Sequence, residues 1–264
     1  MIREYGWLML RPDQLPRIDR AAVGVLGHAK ANGEPNAVAV TPYVVNGELV
    51  VTSTLALVQK AAATRRDPRV TLTAGGVSVV GTATVEVDRT AYYFDTFIRA
   101  QELRKYPPAR SLLTIPFHRR LLPWYVGRVV IRIQPEAASE SECGDGATVT
   151  VVDTGGQLRT WSVPRPGDLT AEHVSLPSSV ADGAALLLVH EEDADMKDLR
   201  QMAVRGVVRD GVLARASTRG SLARTSKSAI AELQGLRQLA RAAKANRASL
   251  ATWPQYQPDK ETPR

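Results

Sequence analysis

Between residues 22 and 87 the apolar positions fall in short runs broken by turn residues. Residues 22–29 (Ala-Val-Gly-Val-Leu-Gly-His-Ala) read as a strand, and Asn32-Gly33 is a hairpin signal. A second strand covers 36–45, with Pro42 marking a bulge or an edge. Asn46-Gly47 turns the chain into a third strand, 48–53. Residues 55–66 are strong helix formers, stopped by Asp67-Pro68 because the residue before proline avoids the helical region. Residues 69–74 and 77–87 are two more strands, joined by Gly75-Gly76. One basic helix is thus set inside a five-strand series.

The flanking segments extend the pattern. A mildly helical stretch, 14–22, places Leu15, Ile18 and Ala22 on one side. Residues 90–104 read as an amphipathic helix that ends at Tyr106-Pro107-Pro108, and 124–133 as a closing strand. From 147 onward the strand order recurs more loosely. Asp153-Thr154-Gly155-Gly156 turns where Lys30-Ala31-Asn32-Gly33 did, Pro164 echoes Pro42, and Val204-Arg205-Gly206 stands like Val79-Val80-Gly81. We read this as an internal duplication. The expected division is 1–136, an Ala/Ser/Glu/Gly-rich linker at 137–146, a second domain at 147–251, and a poorly ordered tail at 252–264. Within the second domain, residues 221–248 read as one long helix. Its apolar arc is Ala229, Leu233, Leu236, Ala240 and Ala243, beside a stripe of Arg237, Arg241 and Lys244.

Composition narrows the classes. The 264 residues are 44% hydrophobic and 23% charged, ordinary for a globular chain. No run of about 18 apolar residues predicts a membrane span, and the N-terminus lacks a basic-then-apolar leader, so a cytoplasmic location is expected. The single cysteine, Cys143, and four scattered histidines give no metal-ligand spacing, so no metal site is expected. Net charge is +7, and residues 205–247 carry ten basic residues against two acidic ones. Such a face suits an anionic ligand or partner, or only solvent. No aromatic residue lies among those cations, so a stacking platform for nucleic acid is not expected.

No nucleophile elbow, Walker loop or dinucleotide-binding glycine turn occurs. The acidic run Glu191, Glu192, Asp193 and Asp195 reads as a solvated loop. The strongest candidate chemistry lies at Thr52, Ser53 and Thr54, a hydroxyl-bearing strand end before the helix that carries Lys60. Hydroxyls, helix-start amides and an ammonium suit a phosphate. Simple capping by Ser53 or Thr54, with Lys60 and Arg65 as surface charges, is the alternative.

The ordered set Val23-Gly24-Val25-Leu26, Asn32-Gly33-Glu34-Pro35, Val40-Thr41-Pro42, Gly47-Glu48-Leu49, Val51-Thr52-Ser53-Thr54, Gln59-Lys60, Arg66-Asp67-Pro68-Arg69-Val70 and Gly81-Thr82-Ala83 resembles the pyridoxamine 5'-phosphate oxidase-like split β-barrel superfamily, in particular its flavin- or deazaflavin-dependent reductases. The resemblance implies a mainly β (α+β) fold of two tandem split β-barrels with a few helices, arranged as a pseudo-dimer within one chain or in a homodimer. It implies a phosphate tail on Thr52, Ser53, Thr54 and Lys60, and a ring along Thr41, Pro42 and Tyr43. The implied cofactor is FMN or the deazaflavin coenzyme F420, and the implied activity is hydride transfer to or from a small organic substrate. Three departures matter: Val58, Ala62 and Val80 stand where the family has basic or polar contacts. Arg205 from the second half is the expected compensation. The alternative is a non-catalytic protein holding a flavin, haem or related ligand on the same fold, or no cofactor at all. No catalytic side chain is assigned, Tyr43 being the nearest donor.

Overall fold

The computed structural model describes residues 10–140, 147–193, 198–224 and 229–258. Cys143 and Asp195 lie outside the described residues. The first half runs α1 (Gln14–Arg20), β1 (Gly24–Ala29), β2 (Pro35–Val40), β3 (Pro42–Val45), β4 (Glu48–Thr54), α2 (Gln59–Arg66), β5 (Arg69–Ala74) and β6 (Val77–Asp88). A wide helical turn, Phe94–Ile98, leads into α3 (Arg99–Lys105). Short helices α4 (Ala109–Leu113), α5 (His118–Leu121) and α6 (Pro123–Val126) precede β7 (Arg128–Glu140). The second half holds β8 (Ala147–Asp153), β9 (Leu158–Val163), β10 (His173–Ser175), β11 (Gly183–Glu192), β12 (Leu199–Arg209) and β13 (Val212–Ser221), and α7 (Ala229–Ala251) follows.

The protein is mainly β, with two antiparallel sheets in tandem. The first has the order β2-β1-β5-β6-β7-β4-β3. Its two outer strands are consecutive in sequence, separated only by Thr41, so the sheet curls until its ends meet. Pro42 makes this turn, since it has no N–H to continue β2's ladder and holds Thr41 extended. The interior fills with Leu26, Leu49, Val51, Leu72, Val79 and Ile131.

The second sheet has the order β10-β13-β12-β11-β8-β9. Read from β9, it matches β2-β1-β5-β6-β7-β4 strand for strand. The duplication is also visible in its irregularities. β6 carries a bulge between Val80 and Gly81, and β12 carries one between Arg205 and Gly206. A Cβ at Gly81 would stand 2.1 Å from the Gln134 carbonyl oxygen, and one at Gly206 1.9 Å from that of Ala214. Both bulges therefore require glycine, which is why the two Gly-ended tripeptides align in the sequence. Among the described residues the second sheet has no counterpart of β3, so it stays open. Between β10 and β11 a turn at 177–180 replaces the helix α2.

Several segments depart from the sequence expectation. Residues 123–126 are helical, and the closing strand begins at Arg128 and runs to Glu140, into the segment read as linker. On α7, Leu236 and Ala243 of the expected arc pack against the barrel together with Leu239, Ala242 and Leu250, Ala240 is exposed, and the side chains of Ala229 and Leu233 lie outside the described residues. Residues 253–256, read as part of a loose tail, dock on the first barrel. Trp253 is 6% exposed beneath Arg65, and Val87 exchanges backbone hydrogen bonds with Pro254 and Tyr256. An indole buries too much apolar surface to be left in solvent when a groove is at hand.

The halves pack sheet to sheet. Val25 and Ala37 of the barrel meet Leu186 and Leu188 of the open sheet, and Thr73 meets Thr160 Oγ1 to Oγ1 at 3.3 Å. Arg205 crosses the junction, donating to the Pro35 carbonyl at 3.0 Å and to Asn36 Oδ1 at 2.6 Å. That bond orients the Asn36 amide, whose Nδ2 then faces His28 Nε2 at 3.2 Å. The imidazole must accept there, so its proton sits on Nδ1 and is donated to the Ala29 carbonyl at 3.2 Å. Burial foremost, with Arg66, Lys60 and Arg205 nearby, lowers the His28 pKa from its ordinary value of 6.5. The unfolded chain therefore takes up this proton before the folded one does. Stability from neutral His28 is present above pH ~6.5 and is lost as pH falls toward the depressed folded value. Urea midpoints measured from pH 7.5 to 5 are expected to fall more steeply for the wild type than for His28→Gln.

Candidate functional site

The site forms where the barrel closes on itself. Thr41 lies between the two edge strands, and Tyr43 follows on β3. The end of β4 supplies Thr52, Ser53 and Thr54, and the first turn of α2 supplies Lys60. All six side chains line one cavity of about 210 Å³, with Glu102, Tyr106 and Arg128 across from them and Leu199 contributed by the second half.

Each hydroxyl has a different state. The Ser53 hydroxyl donates to the Leu57 carbonyl at 2.8 Å, so it fixes the turn between β4 and α2. Thr54 Oγ1 is buried and has no partner. α7 reinforces the same turn, since Asn246 Nδ2 donates to the Leu55 and Ala56 carbonyls at 3.1 and 3.2 Å. Pro42 stands just outside the cavity, and its carbonyl accepts from Lys105 Nζ at 2.5 Å.

Lys60 is partly buried, and its ammonium has no hydrogen-bond or ion-pair partner among the described residues. Its pKa is lowered to about 8, first by burial and then by the Arg128 guanidinium. An anion entering here would relieve both effects, because a negative charge stabilises the ammonium that burial disfavours.

Behind the cavity is a buried polar cluster. Glu102, 7% exposed, accepts from the Tyr43 hydroxyl, from the Tyr125 hydroxyl at 2.8 Å and from the Arg128 guanidinium at 3.2 Å. Arg128 is 2% exposed, stacks on Phe94 and Tyr125, and donates to the Tyr125 carbonyl, while its Nε has no partner. Burial first, and then the Glu102 charge, pushes the pKa of Tyr43 and Tyr125 upward, so both phenols stay protonated.

Sequence reasoning missed Arg128 and Glu102. Arg128 pairs directly with Thr54 across β4 and β7, which sets a guanidinium beside the hydroxyl-bearing strand end. The signal for it was the alternation of Arg128 and Arg132 on the closing strand. Glu102 gave no signal, because an acid on an amphipathic helix reads as solvated. Val58 and Ala62 pack against the barrel core, so a charged side chain would be costly at either position. Arg205 lies outside this cavity, on the wall of an adjoining one.

The fold and site together define a β-barrel joined to a second, open sheet of the same strand order, with a cationic cleft where they meet. No protein-family model and no curated protein matches the chain. Among solved structures it is similar to a conserved hypothetical protein from Mycobacterium tuberculosis, at 20% identity over 52% of this chain and 88% of that one, TM-score 0.38. It is also similar to an F420 reductase, at 19% identity over 48% of this chain and 95% of that one, TM-score 0.35. A FAD-binding protein from Mesorhizobium loti matches at 20% identity over 49% and 92%, TM-score 0.32. No helix among the described residues is long and apolar enough to cross a membrane.

Proposed function

We propose that this chain is a flavin- or deazaflavin-dependent oxidoreductase acting on a small organic substrate. The observation that carries the reading is the convergence of Thr52, Thr54, Lys60 and Tyr43, quoted above for the family resemblance, on one cavity that also holds Arg128. The unpartnered Thr54 hydroxyl, the unpaired Lys60 ammonium and the Arg128 guanidinium fit a phosphate chemically. They would hold the tail of the cofactor, with its ring along Thr41 and Tyr43.

The bound ring would supply the hydride chemistry, so no protein nucleophile is needed. The chain's own residues bind, orient and exclude water. Val23, Ala39, Val40 and Leu57 form apolar walls, and Leu199 closes one side from the second half. Glu102 holds the Tyr43 hydroxyl in a fixed direction, and Lys105 over the Tyr43 ring at 5.4 Å fixes that ring from the other side. Tyr43 keeps its proton at all physiological pH and donates it to Glu102, so it is not a base, and toward a ligand it offers only an acceptor lone pair.

The test is titration of the purified protein with FMN and with coenzyme F420, followed by tryptophan fluorescence and the cofactor's visible spectrum. Quenching and a spectral shift with one of the two are expected. Protein that purifies colourless and responds to neither would overturn the reading. A carrier that binds without turnover is the second reading, favoured by apolar Val58 and Ala62 where the family has polar contacts. Binding without reoxidation of the reduced cofactor by any acceptor tried would select it.

A further inference from the structure

The Lys60 cavity continues into a second one. A space of about 520 Å³ opens between the barrel and the open sheet, and it shares Ala39, Leu57 and Lys60 with the first as common wall. Its far side comes from the second half. Gln201, Ala203 and Arg205 point the same way on β12, because alternate residues of a strand share a face. On β13, Arg219 pairs directly with Ala203, which puts its guanidinium on that face too.

The charge on this wall is unbalanced. Arg219 has no hydrogen-bond or ion-pair partner among the described residues. Arg205 spends two of its N–H groups on Pro35 and Asn36 and keeps the rest. No carboxylate lines the space. Glu34, the acid whose charge acts on Arg205, is held by Lys30 at 2.8 Å. Two guanidiniums and the Lys60 ammonium thus border one open cleft with no carboxylate among its lining residues. A protein gains nothing in stability by placing like charges this way, and a polyanion is what neutralises them.

We infer that the second half supplies a second anion subsite, built on Arg205 and Arg219, that selects a ligand whose tail carries a further anionic group beyond its first phosphate. This rests on the flavin reading and sharpens it. FMN ends at one phosphate and leaves the second subsite empty. FAD continues through a diphosphate, and coenzyme F420 continues into carboxylates. The open sheet, which has lost the helix and the strand needed for a cavity of its own, acts as the wall of the first barrel's site.

The experiment uses the full chain and two ligand pairs, FMN against FAD, and coenzyme F420 against the same deazaflavin without its carboxylate tail. Dissociation constants are read by fluorescence for the wild type, Arg219→Gln and Lys60→Ala. Arg219 is exposed on a surface strand, so its replacement leaves the fold intact. The longer-tailed member of at least one pair is expected to bind about three- to tenfold tighter in the wild type. Arg219→Gln is expected to remove that margin without changing the shorter ligand's affinity, and Lys60→Ala to weaken both. Equal affinities within both pairs, or an undiminished margin in Arg219→Gln, would overturn the second subsite and leave the flavin reading standing. Failure of all four ligands to bind the wild type would refute the flavin reading, and the subsite with it.

Discussion

Glu102→Ala is expected to lower the unfolding free energy by about 3–5 kcal/mol, read as a drop in the urea midpoint at constant slope. The reason is what the carboxylate leaves behind. Two buried phenols lose their acceptor, and Arg128, 2% exposed, loses its only ion-pair partner among the described residues. An unpaired buried guanidinium cannot discharge by losing its proton, so the full desolvation cost falls on the folded state. Glu102→Gln keeps hydrogen-bonding capacity for the phenols but not the charge, and is expected to fall between the wild type and Glu102→Ala. The double variant Glu102→Leu/Arg128→Met removes both charges together. It is expected to cost clearly less than the sum of its single changes, a coupling that a mere packing role for Glu102 would not give.

Lys60→Ala is expected to weaken binding of any phosphate-bearing ligand by about 10- to 150-fold, the equivalent of roughly 1.5–3 kcal/mol for a charge-assisted contact. Unfolding free energy is expected to change little, because the ammonium makes no ion pair among the described residues. The pH dependence gives a sharper reading. With a pKa lowered to about 8, Lys60 is charged at pH 7 and loses its proton as pH rises past 8. Wild-type affinity is therefore expected to fall across pH 8 to 9.5. Lys60→Arg, charged throughout, is expected to stay flat over the same range. Affinity that is independent of pH in the wild type, or retained in Lys60→Ala, would remove Lys60 from the site.

Much of the barrel was legible in the sequence because its signals are local. Asn46-Gly47 and Gly75-Gly76 carry positive φ at both turn residues, which only such pairs adopt readily, and each joins the two strands that the text of the chain placed around it. Asp67-Pro68 ended α2 where expected. The start of α2 was less clear, since Leu55 to Val58 are good helix formers held in a turn by Ser53 and by Asn246 from a helix nearly two hundred residues away. The start of the tail departs from the sequence expectation for the same kind of reason. Trp253 and Tyr256 look like isolated aromatics among prolines, and only the groove over Val87 and Tyr93 makes them part of the core.

The sequence by itself determined most strands of the first half, their looser repetition in the second, and the hydroxyl-rich strand end before Lys60. Those follow from turn chemistry, from glycines that no Cβ can replace at the two bulges, and from residue spacing along single elements. But it read β2 and β3, which lie at opposite edges of the sheet, as one strand. Only the tertiary structure decided that Arg128 stands beside Thr54, that Glu102 ties two tyrosines to it, and that Arg205 and Arg219 border the same cleft from the other half. Such placements depend on β-ladder register and on sheet-to-sheet packing. Both are set by the sum of many weak contacts across the chain, and no single stretch of sequence encodes that sum.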